Sequence, residues 1–175
     1  MGHPPYVKNR PSYFRDPSGL LSVGPGFSPQ CLADILSAIE LIKQHAKENP
    51  ACACWYSKNG SHIPLSVFLS NPFYNIHFDP NGNKDPREKD TLGYVNPGDP
   101  FGVYLTPNGC NSGPTHIAQD IVHELGHLDL GDFLPWYQRL SPGQESREHN
   151  RVRILENLCG FAIQTMGTTI TVTAQ

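Results

Sequence analysis

Residues 115–132 read THIAQDIVHELGHLDLGD, and two interleaved periodicities run through them. Ile117, Ile121, Leu125 and Leu128 recur at helical spacing and form an apolar stripe suited to a core. His116, Asp120, His123 and His127 follow at intervals of four, three and four, so they share a second face of the same helix. The pattern predicts a helix over about Thr115–Leu130, stopped near Gly131.

His123, Glu124 and His127 spell H-E-x-x-H within that helix. Residues four apart stand one turn above each other, so two imidazoles can reach one zinc ion at about 2 Å. Glu124 follows the first histidine directly and points beside the ion. There it can accept a proton from water, the general-base role of a metalloprotease. Zinc needs a third protein ligand and an open fourth position. Glu156 and Glu148, on a second helical segment, are the leading candidates, with Asp129, Asp132 and Glu145 behind them. Glu156 sits among Val152, Cys159 and Ile163 at helical spacing, and a carboxylate on an apolar stripe is costly unless a cation compensates it. Whichever carboxylate does not ligate is suited to orienting a histidine from behind, and Asp120 could hold one from the preceding turn. A donor for a developing oxyanion would come from His149, Tyr137 or Tyr104, the nearest candidates in sequence. Trp136 reads as core.

The remainder of the 175 residues sets the frame. Thirteen Lys and Arg against 16 Asp and Glu give a formal charge of −3, which lacks the basic stripe of a nucleic-acid-binding surface. No apolar run approaches the roughly 20 residues of a membrane span, and the first residues, MGHPPYVKNRPSYF, hold no apolar core of a secretory signal. Sixteen Gly and 17 Pro predict many turns in a single domain. Cys31, Cys52, Cys54, Cys110 and Cys159 are odd in number with no CxxC pair, which predicts buried free thiols rather than a disulfide framework.

Along the chain, residues 1–27 read as an extended leader. Ser28-Pro29 caps a helix whose apolar stripe is Leu32, Ile35, Leu36, Ile39 and Ile42, ending at Asn49-Pro50. Ala51–Ser57 and Ile63–Leu69 read as strands of a hairpin around Asn59-Gly60, and Tyr74–Phe78 as a third, half-buried strand. Residues 79–90 form a charged loop, Phe101–Leu105 a short strand, and about Pro142–Met166 a last helix stopped at Gly167. Residues 168–175 are a β-prone tail. The order of elements gives an α+β fold.

Ile117–Leu130 resembles the active-site helix of zincin metallopeptidases. The metzincin branch would place its third ligand at Phe133, which cannot bind, so the similarity is to the branch with a glutamate third ligand. Glu156–Ala162 (ENLCGFA) is similar to that branch's second helix, with Cys159 where a small residue stands. The resemblance implies a small twisted, mostly antiparallel sheet packed on an N-terminal helix, the HExxH helix and a C-terminal helix. It also implies an edge strand that binds an extended protein or peptide substrate, with Phe101–Leu105 as the expected edge. Separately, Pro11–Leu20 (PSYFRDPSGL) is similar to the junction that closes the shell of Rhs/YD-repeat polymorphic toxins. That resemblance implies cleavage after Leu20, a zinc peptidase domain over 28–175 and an Rhs shell as partner before release. It further implies a cognate immunity protein and delivery by a specialised secretion system into a target cell, with action in its cytoplasm. Two other expectations stay open: a metal-free binding module with an idle HExxH, and a zinc amidase acting on cell wall.

Overall fold

The computed structural model describes residues 21–53, 65–71, 73–82, 90–96, 98–130, 150 and 152–161. The first helix, α1 (Pro29–Glu48), starts where the sequence places it: Ser28 Oγ accepts the amide of Cys31 at 3.2 Å, and Pro29 takes the first position, where no amide is needed. Its buried stripe is Cys31, Ile35, Ala38, Ile39 and Ile42, whereas Leu36 lies 38% exposed. Each fully buried isoleucine contributes about 1.5–3 kcal/mol, which holds α1 along the core. A single helical turn, α2 (residues 50–53), follows, and then α3 (Leu65–Ser70).

These two elements correct the expected hairpin. Residues 51–53 are helical, and so is most of Ile63–Leu69, while 54–64 fall outside the described residues. LSVFLS is a short apolar run whose periodicity fits strand or buried helix equally. Here Leu65, Phe68 and Leu69 are the buried positions, a three-and-four spacing.

The sheet has four strands in the order β1-β2-β4-β3, namely β1 (Ser22–Val23), β2 (Asn75–Phe78), β3 (Gly93–Asn96) and β4 (Asp99–Leu105). Among the described residues β1 pairs with β2 in parallel, β2 with β4 in parallel, and β3 with β4 antiparallel. The described sheet is therefore not the mostly antiparallel one expected. Parallel neighbours need a long crossover, and the stretch carrying α1 and α3 supplies it between β1 and β2. The expected edge strand is also displaced, because β4 lies inside the sheet and, among the described residues, β3 forms the outer strand. Leu21 and Val23, at the end of the predicted leader, are buried and belong to the core.

The sheet alternates sharply. Val103 and Leu105 of β4 are buried in the core with Ile76 of β2. On the opposite face His77, Tyr104 and Tyr94 stand in register across β2, β4 and β3 and stack at centroid distances of 4.9 and 5.1 Å. The two phenols donate to Asp99 and Asp79, which closes that face with hydrogen bonds.

After β4 comes the short helix α4 (Pro107–Cys110), then α5 (Pro114–Leu130), which matches the expected helix. It packs along α1 and against β3 and β4. Residues 152–158 form a further helix, α6, which stops at a turn over 159–160 instead of continuing to Met166. Gly160, at φ 80°, takes the left-handed conformation that ends it.

Four of the five cysteines pair, which overturns the expectation of free thiols. Cys31 joins Cys110, tying the start of α1 to α4, and Cys52 joins Cys159, tying α2 to the end of α6. Their sequence separations of 79 and 107 explain why no local spacing betrayed them.

Candidate metal centre

The two motif histidines converge. His123 and His127 project from successive turns of α5, and their Nε2 atoms lie 3.1 Å apart with the rings edge to face. Glu156, 4% exposed on α6, contacts His123 through its other ring nitrogen, Nδ1. A carboxylate accepts, so Nδ1 carries the proton and Nε2 of His123 carries the lone pair. Gln119, one turn earlier on α5, donates to the second oxygen of Glu156 at 3.3 Å. The carboxylate is thus held from both sides by α5.

Gly126, one of the two unspecified positions of H-E-x-x-H, makes this approach feasible. A Cβ at that position would lie 3.1 Å from Val152 and 3.3 Å from Leu155 of α6. Glycine inside a helix costs about 1 kcal/mol relative to alanine, and here the missing methyl lets α6 sit close enough for Glu156 to reach the ring. That internal glycine was the one sequence signal of a close neighbour.

Glu124 is 6% exposed and accepts the backbone amide of Val95 in β3. Its proton affinity is raised well above that of an ordinary glutamate, first by burial and then by the charges of Asp120 and Glu156. Asp120 lies a turn before Glu124, with its carboxyl against Gly93 of β3, where a Cβ would collide with Oδ2. That oxygen is buried without a hydrogen-bond partner. Burial, with a smaller contribution from Glu156, pushes Asp120 up to about 7. For His123 the place expected for Asp120 behind the ring is taken by Glu156 on Nδ1.

No family model, characterised protein or solved structure matches this chain.

The residues themselves show what the centre could hold. In metal-free form the 3.1 Å contact between the Nε2 atoms is an N–H···N hydrogen bond sharing one proton. A divalent cation can replace that proton, since nitrogens at this separation both reach an ion at about 2.0–2.1 Å. The Glu156–His123 contact fixes the tautomer and orientation of that ring, as a carboxylate behind a metal-bound histidine would. The two imidazole nitrogens are donors of a type zinc prefers, two of the three protein ligands it needs. Among the described residues, no group of three or more His, Cys, Asp or Glu is arranged to hold an ion. Glu156, expected first as a ligand, lies on the supporting nitrogen instead. Glu148, Glu145, Asp132, His149 and Tyr137 lie outside the described residues, as does the side chain of Asp129. Tyr104, offered as an oxyanion donor, stands on the sheet face opposite the buried Val103 and Leu105, with its hydroxyl on Asp99.

Proposed function

We propose that this chain is a zinc-dependent endopeptidase of zincin type, the released toxin domain of an Rhs-type effector with cleavage after Leu20. One observation carries the reading: two Nε2 atoms 3.1 Å apart, one ring backed by a buried carboxylate, with a second buried carboxylate one residue along the helix. His123 and His127 would hold the ion, Glu156 would orient His123, and Glu148 is the candidate to complete the ligand set. Bound zinc would supply Lewis acidity, polarising a scissile carbonyl and making water acidic near neutral pH.

The protein's own groups do the rest. Glu124, next to His123 on the helix and held by β3, would take a proton from water and return it to the departing amine. The Val95 amide holds that carboxylate in place from β3. Because β3 is the outer strand and abuts α5, an extended peptide added along it would pass beside Glu124.

The disulfides support a second reading of the target. Such pairs persist in oxidising compartments and are rare where thiols are kept reduced. They favour action outside a reducing cytoplasm, and with it the zinc amidase acting on cell wall. No described helix is long and apolar enough to cross a membrane.

The test compares wild type and Glu124→Gln for zinc content and for hydrolysis of lysate proteins and of peptidoglycan. Zinc should stay near one equivalent while hydrolysis falls by about 10²–10⁴-fold. Full activity in the variant refutes the mechanism, and zinc-free protein that does not take up added zinc favours the idle binding module. Cleavage of peptidoglycan alone selects the amidase.

A further inference from the structure

Glu156 occupies the last turn of its helix, the part of any helix that frays first. Here that turn is clamped. The amides of Cys159, Gly160 and Phe161 return to the carbonyls of Leu155, Asn157 and Glu156 at 2.9, 3.0 and 2.8 Å, a Schellman closure around Gly160. The next two carbonyls are met from α1: Asn49 Nδ2 donates to Leu158, and His45 Nδ1 donates to Cys159 at 2.8 Å. The His45 ring also stacks on Phe161 at 4.6 Å. Every carbonyl from 155 to 159 therefore has a donor, two of them on a helix more than a hundred residues away. The covalent bond of this clamp is Cys52–Cys159, both sulfurs fully buried, three residues after the carboxylate that holds His123. The other disulfide, Cys31–Cys110, joins α1 to α4.

We infer that the Cys52–Cys159 disulfide is the positioning element of Glu156, so that the metal centre is fully assembled only in the oxidised protein. Reduction by a dithiol would put two electrons and two protons into the pair, giving two cysteine thiols and an oxidised dithiol. The last turn of α6 would then be held by hydrogen bonds alone, and the carboxylate would lose its fixed approach to His123 Nδ1. The inference rests on the proposed zinc site for its consequence, while the clamp itself is independent of it.

The test uses two double variants of the full chain, Cys52→Ala with Cys159→Ala and Cys31→Ala with Cys110→Ala. Each removes one long-range cross-link, and the first is the one bonded to the end of α6. Zinc affinity is measured by competition with a chromophoric chelator, and hydrogen exchange is followed over residues 152–159. The first variant should bind zinc about 10–100-fold more weakly, the loss typical of removing a supporting carboxylate, and should lose exchange protection at 155–159. The second should bind zinc within about threefold of wild type. Equal zinc affinity in the two variants overturns the inference. Should the first variant fail to fold, the Cys31→Ala, Cys110→Ala protein treated with a dithiol, in which Cys52–Cys159 is the described disulfide left to reduce, must speed exchange at 155–159 relative to the same protein kept oxidised, and unchanged exchange there overturns the inference too. If wild type binds no zinc, the proposed function fails. The exchange comparison, with the ¹⁵N signature of a protonated His123 Nδ1, then still decides the clamp.

Discussion

Replacing Asp120 by Asn should change how stability depends on pH. Its carboxyl is buried against Gly93 with Oδ2 unpartnered, and its ionisation moves from the ordinary 3.8 to about 7. The folded state therefore keeps a proton that the unfolded chain releases between these values. The Asp120 contribution to stability is greatest below pH 4, falls as pH rises toward 7, and levels off above it. At about 1.4 kcal/mol per pH unit the full loss is on the order of 4 kcal/mol, a large share of a typical domain's stability. Urea unfolding of the metal-free protein, followed by circular dichroism from pH 4.5 to 8, measures it. Chelator is needed because a bound cation would favour the ionised carboxylates. The stability of wild type minus that of Asp120→Asn should drop by about 3 kcal/mol across that range. Glu124 shifts in the same direction partly because of Asp120, so the difference also includes their coupling. A difference that stays flat, or rises with pH, refutes the argument that Asp120 is buried without compensation.

Two further substitutions probe the site and the frame. Glu156→Gln should leave the fold intact yet weaken zinc binding about 10–100-fold, because an amide oxygen is a poorer acceptor for His123 Nδ1; a calorimetric titration with unchanged affinity would remove Glu156 from its supporting role. Gly109→Ala would drive a Cβ into the backbone carbonyl of Leu92, which has no freedom to rotate away. The expected cost is about 1–3 kcal/mol, seen as a Tm lowered by several degrees, and an unchanged Tm would mean that α4 shifts freely.

Where local sequence controls the outcome, the readings hold. Ser28 caps α1, Asn75–Phe78 forms a strand inside the half-buried stretch expected there, and α5 runs from Pro114 to Leu130 around the histidine pair. Elements of four to six residues are another matter. LSVFLS carries too few turns of pattern to separate helix from strand, and GYVN, which forms β3, is too short to show an alternation. Both take their conformation from what they pack against. The parallel order of β1, β2 and β4 likewise depends on how α1 crosses between strands.

The sequence by itself determined that His123, Glu124 and His127 share a helix and that the two imidazoles meet, because a spacing of four residues brings them onto the same face one turn apart. Only the tertiary structure decided which partners reach that face. Glu156 arrives on Nδ1 because Gly126 admits α6 and because α1 grips the last turn of that helix through Asn49, His45 and the Cys52–Cys159 bond. Val95 arrives at Glu124 because β3 is the outer strand against α5. Periodicity describes one helix at a time, whereas these contacts join residues 26 to 114 positions apart, and chain packing alone brings them within reach.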